Sequence, residues 1–141
     1  MIPPKPPKVP GSPEEWMQFA ESDLRLARLA AQDQSIRPEQ VCFHAQQAAE
    51  KAIKAILSSR QADFPLTHDI ELLLRLAEEA GIGLPEGIRA AGHLTPYAVE
   101  TRYPGFQSEI SGAEVQEALE TAESVVDWAK QALRASEGGD A

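Results

Sequence analysis

The stretch Phe43-His44-Ala45-Gln46-Gln47-Ala48-Ala49-Glu50-Lys51-Ala52-Ile53-Lys54 constrains the fold more than any other part of the chain. At about 100° per residue, Ala45, Ala48, Ala49, Ala52, Ile53 and Ile56 cover the broad face of a helix built for burial. His44, Gln47, Lys51 and Lys54 fall within one narrow sector on the opposite side. An imidazole, a carboxamide and two ammonium groups on one edge suit a phosphate, a nucleotide or an acidic partner surface. A solvated helix face accounts for the same pattern, and the helix alone does not decide between the two.

The rest of the chain is punctuated in the same helical way. Ser12 is placed to cap a first helix with Pro13 at its first position and Glu14 and Glu15 at the positive end of its dipole. Trp16, Phe19, Ala20, Leu24, Ala27 and Ala30 recur along that helix at helical spacing, with Asp23 the one polar exception in the series. A second helix opens near Pro38, runs to about Arg60 and is broken by Gln61-Ala62-Asp63-Phe64-Pro65. Thr67-His68-Asp69 offers caps for a third helix through Ile70, Leu73, Leu74 and Ala77, ending at Gly81-Ile82-Gly83. Pro85 starts a shorter fourth helix through Ile88 and Leu94, which Pro96 kinks or terminates. Ser111-Gly112-Ala113-Glu114 reads as a capping box that launches a last helix through Val115, Leu119, Ala122, Val126, Trp128 and Leu133.

No stretch alternates apolar and polar residues for long, and β-branched residues are sparse. Five helices with short connections predict an all-α fold, an antiparallel up-and-down bundle. The length fits one domain over residues 13–136. Residues 1–12, with Pro3, Pro4, Pro6, Pro7 and Pro10, are expected to form a disordered proline-rich tail, and residues 137–141 a second disordered tail. The proline run also fits a P-x-x-P ligand formally, a pattern that short proline runs match by chance.

A formal net charge of −9 opposes non-specific binding to DNA or to anionic membrane, since both need accumulated Lys and Arg, but it leaves room for a local basic pocket. Cys42 is the only cysteine, so no intramolecular disulfide and no cysteine-based metal cluster can form. No segment approaches the length of a membrane span and the N-terminus lacks the apolar run of a signal peptide. A cytoplasmic protein is expected. The three histidines show no paired metal spacing, there is no glycine-rich phosphate loop and no G-x-S-x-G, so no metal and no cofactor are expected.

Three polar clusters remain: the edge of the second helix, Thr67-His68-Asp69, and Thr101-Arg102-Tyr103-Pro104. His68 beside Asp69 reads either as an oriented acid/base or as a capping Asp with an incidental His. Arg102 reads as a bidentate phosphate clamp or as a structural tie. In order and spacing, FHAQQAAEKAIKAIL, THD and TRYPG together resemble the HEPN domain family of nucleotide-associated helical proteins, over about residues 13–135. The resemblance implies a four-helix core with an added short helix, frequent homodimerisation, and a minimal nucleotidyltransferase as partner in toxin-antitoxin-like pairs.

In the ribonuclease branch of the family, the resemblance implies an Arg and a His separated by four to six residues and brought together across a dimer. Arg37 and His44, with six residues between them, meet the spacing formally. Arg37, however, precedes Pro38, which drives it out of helical geometry and fixes it poorly relative to His44. Arg89 and His93 lie one residue too close, and Arg102 has no following His. The non-ribonuclease branch fits better. There the resemblance implies a ligand or phosphate site at His44, Gln47, Lys51, His68, Asp69, Arg102 and Tyr103, and the site reading requires that these residues converge. Lys54 has a ready i,i+4 partner in Glu50 and ranks below Lys51 as a ligand. The expected function is a module that binds a nucleotide or a nucleotidyltransferase partner; a dimeric metal-independent endoribonuclease and a non-catalytic homodimeric scaffold are the alternatives.

Overall fold

A computed structural model describes residues 11–98 and 109–138, with side chains to residue 135. Arg102 and Tyr103, most of the tail at residues 1–12, and residues 139–141 lie outside the described residues. Helix α1 spans Pro13–Ala31, α2 Pro38–Ser59, α3 Ile70–Glu79, α4 Glu86–Arg89 and α5 Gly112–Gly138. A 3-10 segment, Ala90–Ala98, continues directly from α4. Among the described residues there are five α-helices and no strand, as the periodicity predicts.

The caps follow the sequence closely. Ser12 Oγ accepts the Glu15 amide at 3.1 Å while Glu15 Oε1 accepts the Ser12 amide at 3.2 Å, a reciprocal box ahead of Pro13. Ser111 and Glu114 repeat the arrangement at α5. Asp69 caps α3 by accepting the Leu72 amide at 3.2 Å. Both α2 and α3 end with a residue in left-handed backbone, Gln61 at φ 56° and Gly81 at φ 88°. In each case the next amide closes back onto the helix, Ala62 onto Leu57 and Ile82 onto Ala77.

Two expectations are corrected. The fourth helix is α-helical for one turn only, and the remainder, through Leu94 and Pro96, is 3-10. Pro96 has no amide to donate and crowds the residue before it, so the α ladder cannot continue through it. The segment also packs tightly on α3: a Cβ on Gly92 would meet the Glu71 side chain, with Oε1 only 2.9 Å away. The second correction is Phe19, which shares the spacing of the core residues of α1 yet lies 61% exposed, while Met17 is buried in its place.

Helix α2 is central, packed against α1, α5, α3 and the 3-10 segment. Trp16 meets Lys54, Phe19 meets Lys51 and Asp23 meets His44, so α1 and α2 run in opposite directions. Arg28 pairs with Glu123 and Glu21 with Lys130, which sets α5 antiparallel to α1. Both packed helices are rich in small buried side chains: Ala20 and Ala27 of α1 and Ala45, Ala48, Ala49 and Ala52 of α2 are fully buried. Ile53, Ile56, Leu57, Ile70, Leu73, Leu94, Val125 and Val126 fill the larger spaces around α2. Burying all of these from water is the main drive for the fold.

Candidate functional site

Because α2 is buried almost all round, its polar edge does not face open water. It meets α1 on one side and the turn before α3 on the other. The solvated-face reading of the edge is therefore replaced by an internal polar seam, in which two groups of side chains lie along one helix.

In the first group, Asp23 of α1 sits opposite His44 and Lys51. Its Oδ2 accepts from Lys51 Nζ at 2.6 Å, and its Oδ1 lies 3.2 Å from His44 Nδ1. Lys51 Nζ also stands 5.7 Å from the centre of the Phe19 ring, which gives that exposed aromatic a role on the outer side of α1. The polar exception in the α1 series is thus the counter-charge of the α2 edge.

The second group centres on Glu50, whose side chain is 4% exposed. Glu50 Oε2 accepts from Lys54 Nζ at 2.9 Å, and Oε1 accepts from Gln46 Nε2 at 3.2 Å and from His68 Nδ1 at 2.7 Å. Gln46 Nε2 also donates to the His68 carbonyl at 3.1 Å, and Gln46 Oε1 accepts from Gln47 Nε2 at 2.7 Å. Two acceptors on one side and a donor on the other define the orientation of the Gln46 amide. Lys54 is buried rather than at the solvent edge. Its ammonium lies 5.4 Å from the Trp16 ring and 5.9 Å from the Phe64 ring, so a carboxylate and two aromatic faces replace its water. Among the described residues, Trp16 Nε1 is buried without a hydrogen-bond partner, behind Gly11.

The predicted site residues thus separate into distinct roles. His44 and Lys51 converge on Asp23, Gln47 leads through Gln46 to Glu50, and His68 meets Glu50 from the loop before α3. Asp69 is exposed and serves as the α3 cap, its own amide bonded to Thr67 Oγ1 at 3.0 Å. Arg37 is 74% exposed and forked onto Glu39, with Nε and Nη2 at 3.1 and 3.2 Å from its two oxygens. Gln46 and Glu50 are the residues that sequence reasoning missed as part of the seam. The signal for them was the i,i+4 repeat Gln46, Glu50, Lys54, which forms a second polar row beside the first.

Cys42 is buried among apolar neighbours, and burial pushes its thiol up to about 12, which removes it as a nucleophile. Among the described residues, no group of three or more His, Cys, Asp or Glu side chains could hold a metal ion. No helix of the described residues is long and apolar enough to cross a membrane.

The comparisons with known proteins agree with this architecture. A family model described as HEPN domain matches residues 13–132. The crystal structure of TT1696 from Thermus thermophilus superposes with a TM-score of 0.73 at 27% identity, over 85% of this chain and 97% of that one. ST0689, described as an archaeal HEPN homologue, superposes with a TM-score of 0.68 at 27% identity, over 86% of this chain and 98% of that one. No curated protein matches the chain significantly in sequence.

Proposed function

This chain belongs to the HEPN family, and we propose that it is a binding module in a cytoplasmic two-component, toxin-antitoxin-like pair. On this reading it docks a minimal nucleotidyltransferase partner, or that partner's nucleotide, and does not cut RNA. The observation that carries the reading is the fate of the one Arg and His pair with ribonuclease spacing. Arg37 is forked onto Glu39 at the mouth of α2, and His44 is turned into the α1–α2 seam against Asp23. Phosphate binding by the Arg and proton transfer by the His both need those groups free and facing one substrate. The partner version is favoured over a free nucleotide at the α2 edge, because His44 and Lys51 already share an internal carboxylate. Phe19, Leu26 and Leu29 lie exposed on the outer side of α1 and supply an apolar surface for that partner or for a second copy of the chain.

The test is an RNA cleavage assay with pure protein, beside co-purification with a nucleotidyltransferase encoded next to this chain. Binding without cleavage is expected. Cleavage that disappears in Arg37→Ala or His44→Ala defeats the reading. Absence of binding to that partner, together with no heat from ATP, AMP or GTP at millimolar concentration, shifts the assignment to a homodimeric scaffold.

A further inference from the structure

The three histidines of this chain form a graded series. His68 Nδ1 lies 2.7 Å from Glu50 Oε1 with the ring 60% exposed and the carboxylate 4% exposed. A carboxylate already receiving Lys54 and Gln46 can only accept, so Nδ1 carries the hydrogen and the Nε2 lone pair is the free position. His93 has the same tautomer with a different backing. Its Nδ1 donates to the Ala90 carbonyl at 2.6 Å, a neutral acceptor, and its exposed ring turns Nε2 toward Glu117, 3.9 Å away. His44 has a carboxylate behind it, Asp23, but lies in the seam with its ring 24% exposed. Only His68 combines a carboxylate backing with a largely exposed ring. Its backbone is held as well, because Gln46 bonds its carbonyl and the Thr67–Asp69 turn and the α3 cap follow at once.

From this geometry we infer that His68 is a phosphoryl-acceptor site, with Nε2 as the nucleophile and Glu50 as its positioning residue. The Nε2 lone pair forms the N–P bond while the bond from phosphorus to the leaving group breaks, and the leaving group departs with that electron pair. The ring gains positive charge as the bond forms, and the Glu50 carboxylate stabilises that charge across Nδ1–H. The Nδ1–H stays hydrogen-bonded to Glu50, so the phosphorylated imidazolium is held as an ion pair with that carboxylate. The donor is a phosphoryl compound with a good leaving group, a phosphoramidate or a phosphoric anhydride. The chain is modified rather than turning over, so the inference is independent of whether a nucleotidyltransferase is the partner.

The experiment treats the full chain with potassium phosphoramidate, whose leaving group is ammonia, and maps acid-labile phosphate on each histidine by neutral-pH mass spectrometry and phosphorus NMR. His68 is expected to react at Nε2 about tenfold faster than His93, the rate equivalent of about 1.4 kcal/mol of transition-state stabilisation by Glu50. Glu50→Gln is expected to bring the His68 rate down to that of His93 and to leave His93 unchanged. Equal rates at His68 and His93 in the unmodified chain overturn the inference, as does a Glu50→Gln variant that folds and keeps the original ratio. If Glu50→Gln fails to fold, the ratio in the unmodified chain decides, since both sites are read in one molecule.

Discussion

Asp23 and Lys51 are joined across the α1–α2 seam at 2.6 Å, and the same carboxylate reaches His44. The edge that reads as an anion site in the sequence therefore already holds an anion, supplied by the neighbouring helix. An external phosphate would have to displace a carboxylate that is tethered in place and largely shielded from water, with Asp23 14% exposed.

Asp23→Asn tests that competition. A charge-assisted hydrogen bond is worth about 1.5–3 kcal/mol, so removing it is expected to destabilise the fold by about that amount. The same change frees Lys51 and His44, and the affinity for ATP or inorganic phosphate is expected to rise about tenfold, equivalent to about 1.4 kcal/mol. Calorimetry and urea unfolding on the same samples read both. Unchanged phosphate affinity in the folded variant rules out the α2 edge as a latent anion site.

Glu50 and Lys54 form a buried pair, and breaking such a pair on one side leaves an uncompensated charge. Glu50→Ala is expected to cost about 3–5 kcal/mol. Lys54→Met should cost less, because Gln46 and His68 still bond the carboxylate. The double variant Glu50→Ala with Lys54→Met is expected to lose less than the two singles added, by about 1–3 kcal/mol in a denaturant-melt cycle. Strict additivity would show that the pair is not coupled.

Burial holds the Cys42 thiol well above its ordinary 9.0, with the charges of Glu114 and Glu39 adding to the effect. The thiol is protonated in the folded chain where it would ionise in the unfolded one. Stability from this group is therefore complete below about pH 9 and is lost as pH rises toward about 12. Tyr97 follows, raised from 10.0 to about 12 by burial first. Cys42→Ala is expected to flatten the fall in stability between pH 9 and pH 10, before Tyr97 contributes. Maleimide should leave Cys42 unmodified in the native chain at neutral pH and label it on unfolding; rapid native labelling would contradict its burial.

The end of α2 carries a non-glycine residue in left-handed backbone, Gln61 at φ 56°. That conformation costs a β-carbon-bearing residue about 1–2 kcal/mol, partly offset by the greater entropy that glycine loses on folding. Gln61→Gly is expected to stabilise the chain by about 0.5–1 kcal/mol in thermal or urea unfolding. Gly11 presents the reverse case, with φ 124° and Trp16 Nε1 only 2.8 Å from where a β-carbon would stand. Gly11→Ala is expected to destabilise the chain in the same measurement.

The helices were legible because their starts carry local chemistry: Ser12 with Glu15, Pro38, Asp69, and Ser111 with Glu114 are all short-range signals. The 3-10 segment was not, since Ile88, Leu94 and Pro96 fit a kinked helix equally well until the close approach of Gly92 to Glu71 is known. For the site, helical spacing put His44 and Lys51 side by side, and both meet Asp23, yet it placed Gln47, which leads to Gln46, and Lys54 on the same edge. Lys54 turns instead toward Trp16 and Phe64, which flank it from two other segments and meet it only through packing. Asp23 showed itself as a break in an apolar series without revealing what it meets. The buried faces of Gln46 and Glu50 depend on the turn at His68, a contact no periodicity encodes.

The many buried alanines of α1 and α2 have their own consequence. Small, similar side chains provide many nearly equivalent ways for two helices to slide or rotate past one another. Asp23 against Lys51 and His44 accepts only one of them. A shift by one helical turn would part the Asp23 carboxylate from Lys51 in a place largely shielded from water, at a cost no gain in alanine contact could repay. The polar seam therefore acts as a key that selects one alignment of an otherwise featureless joint.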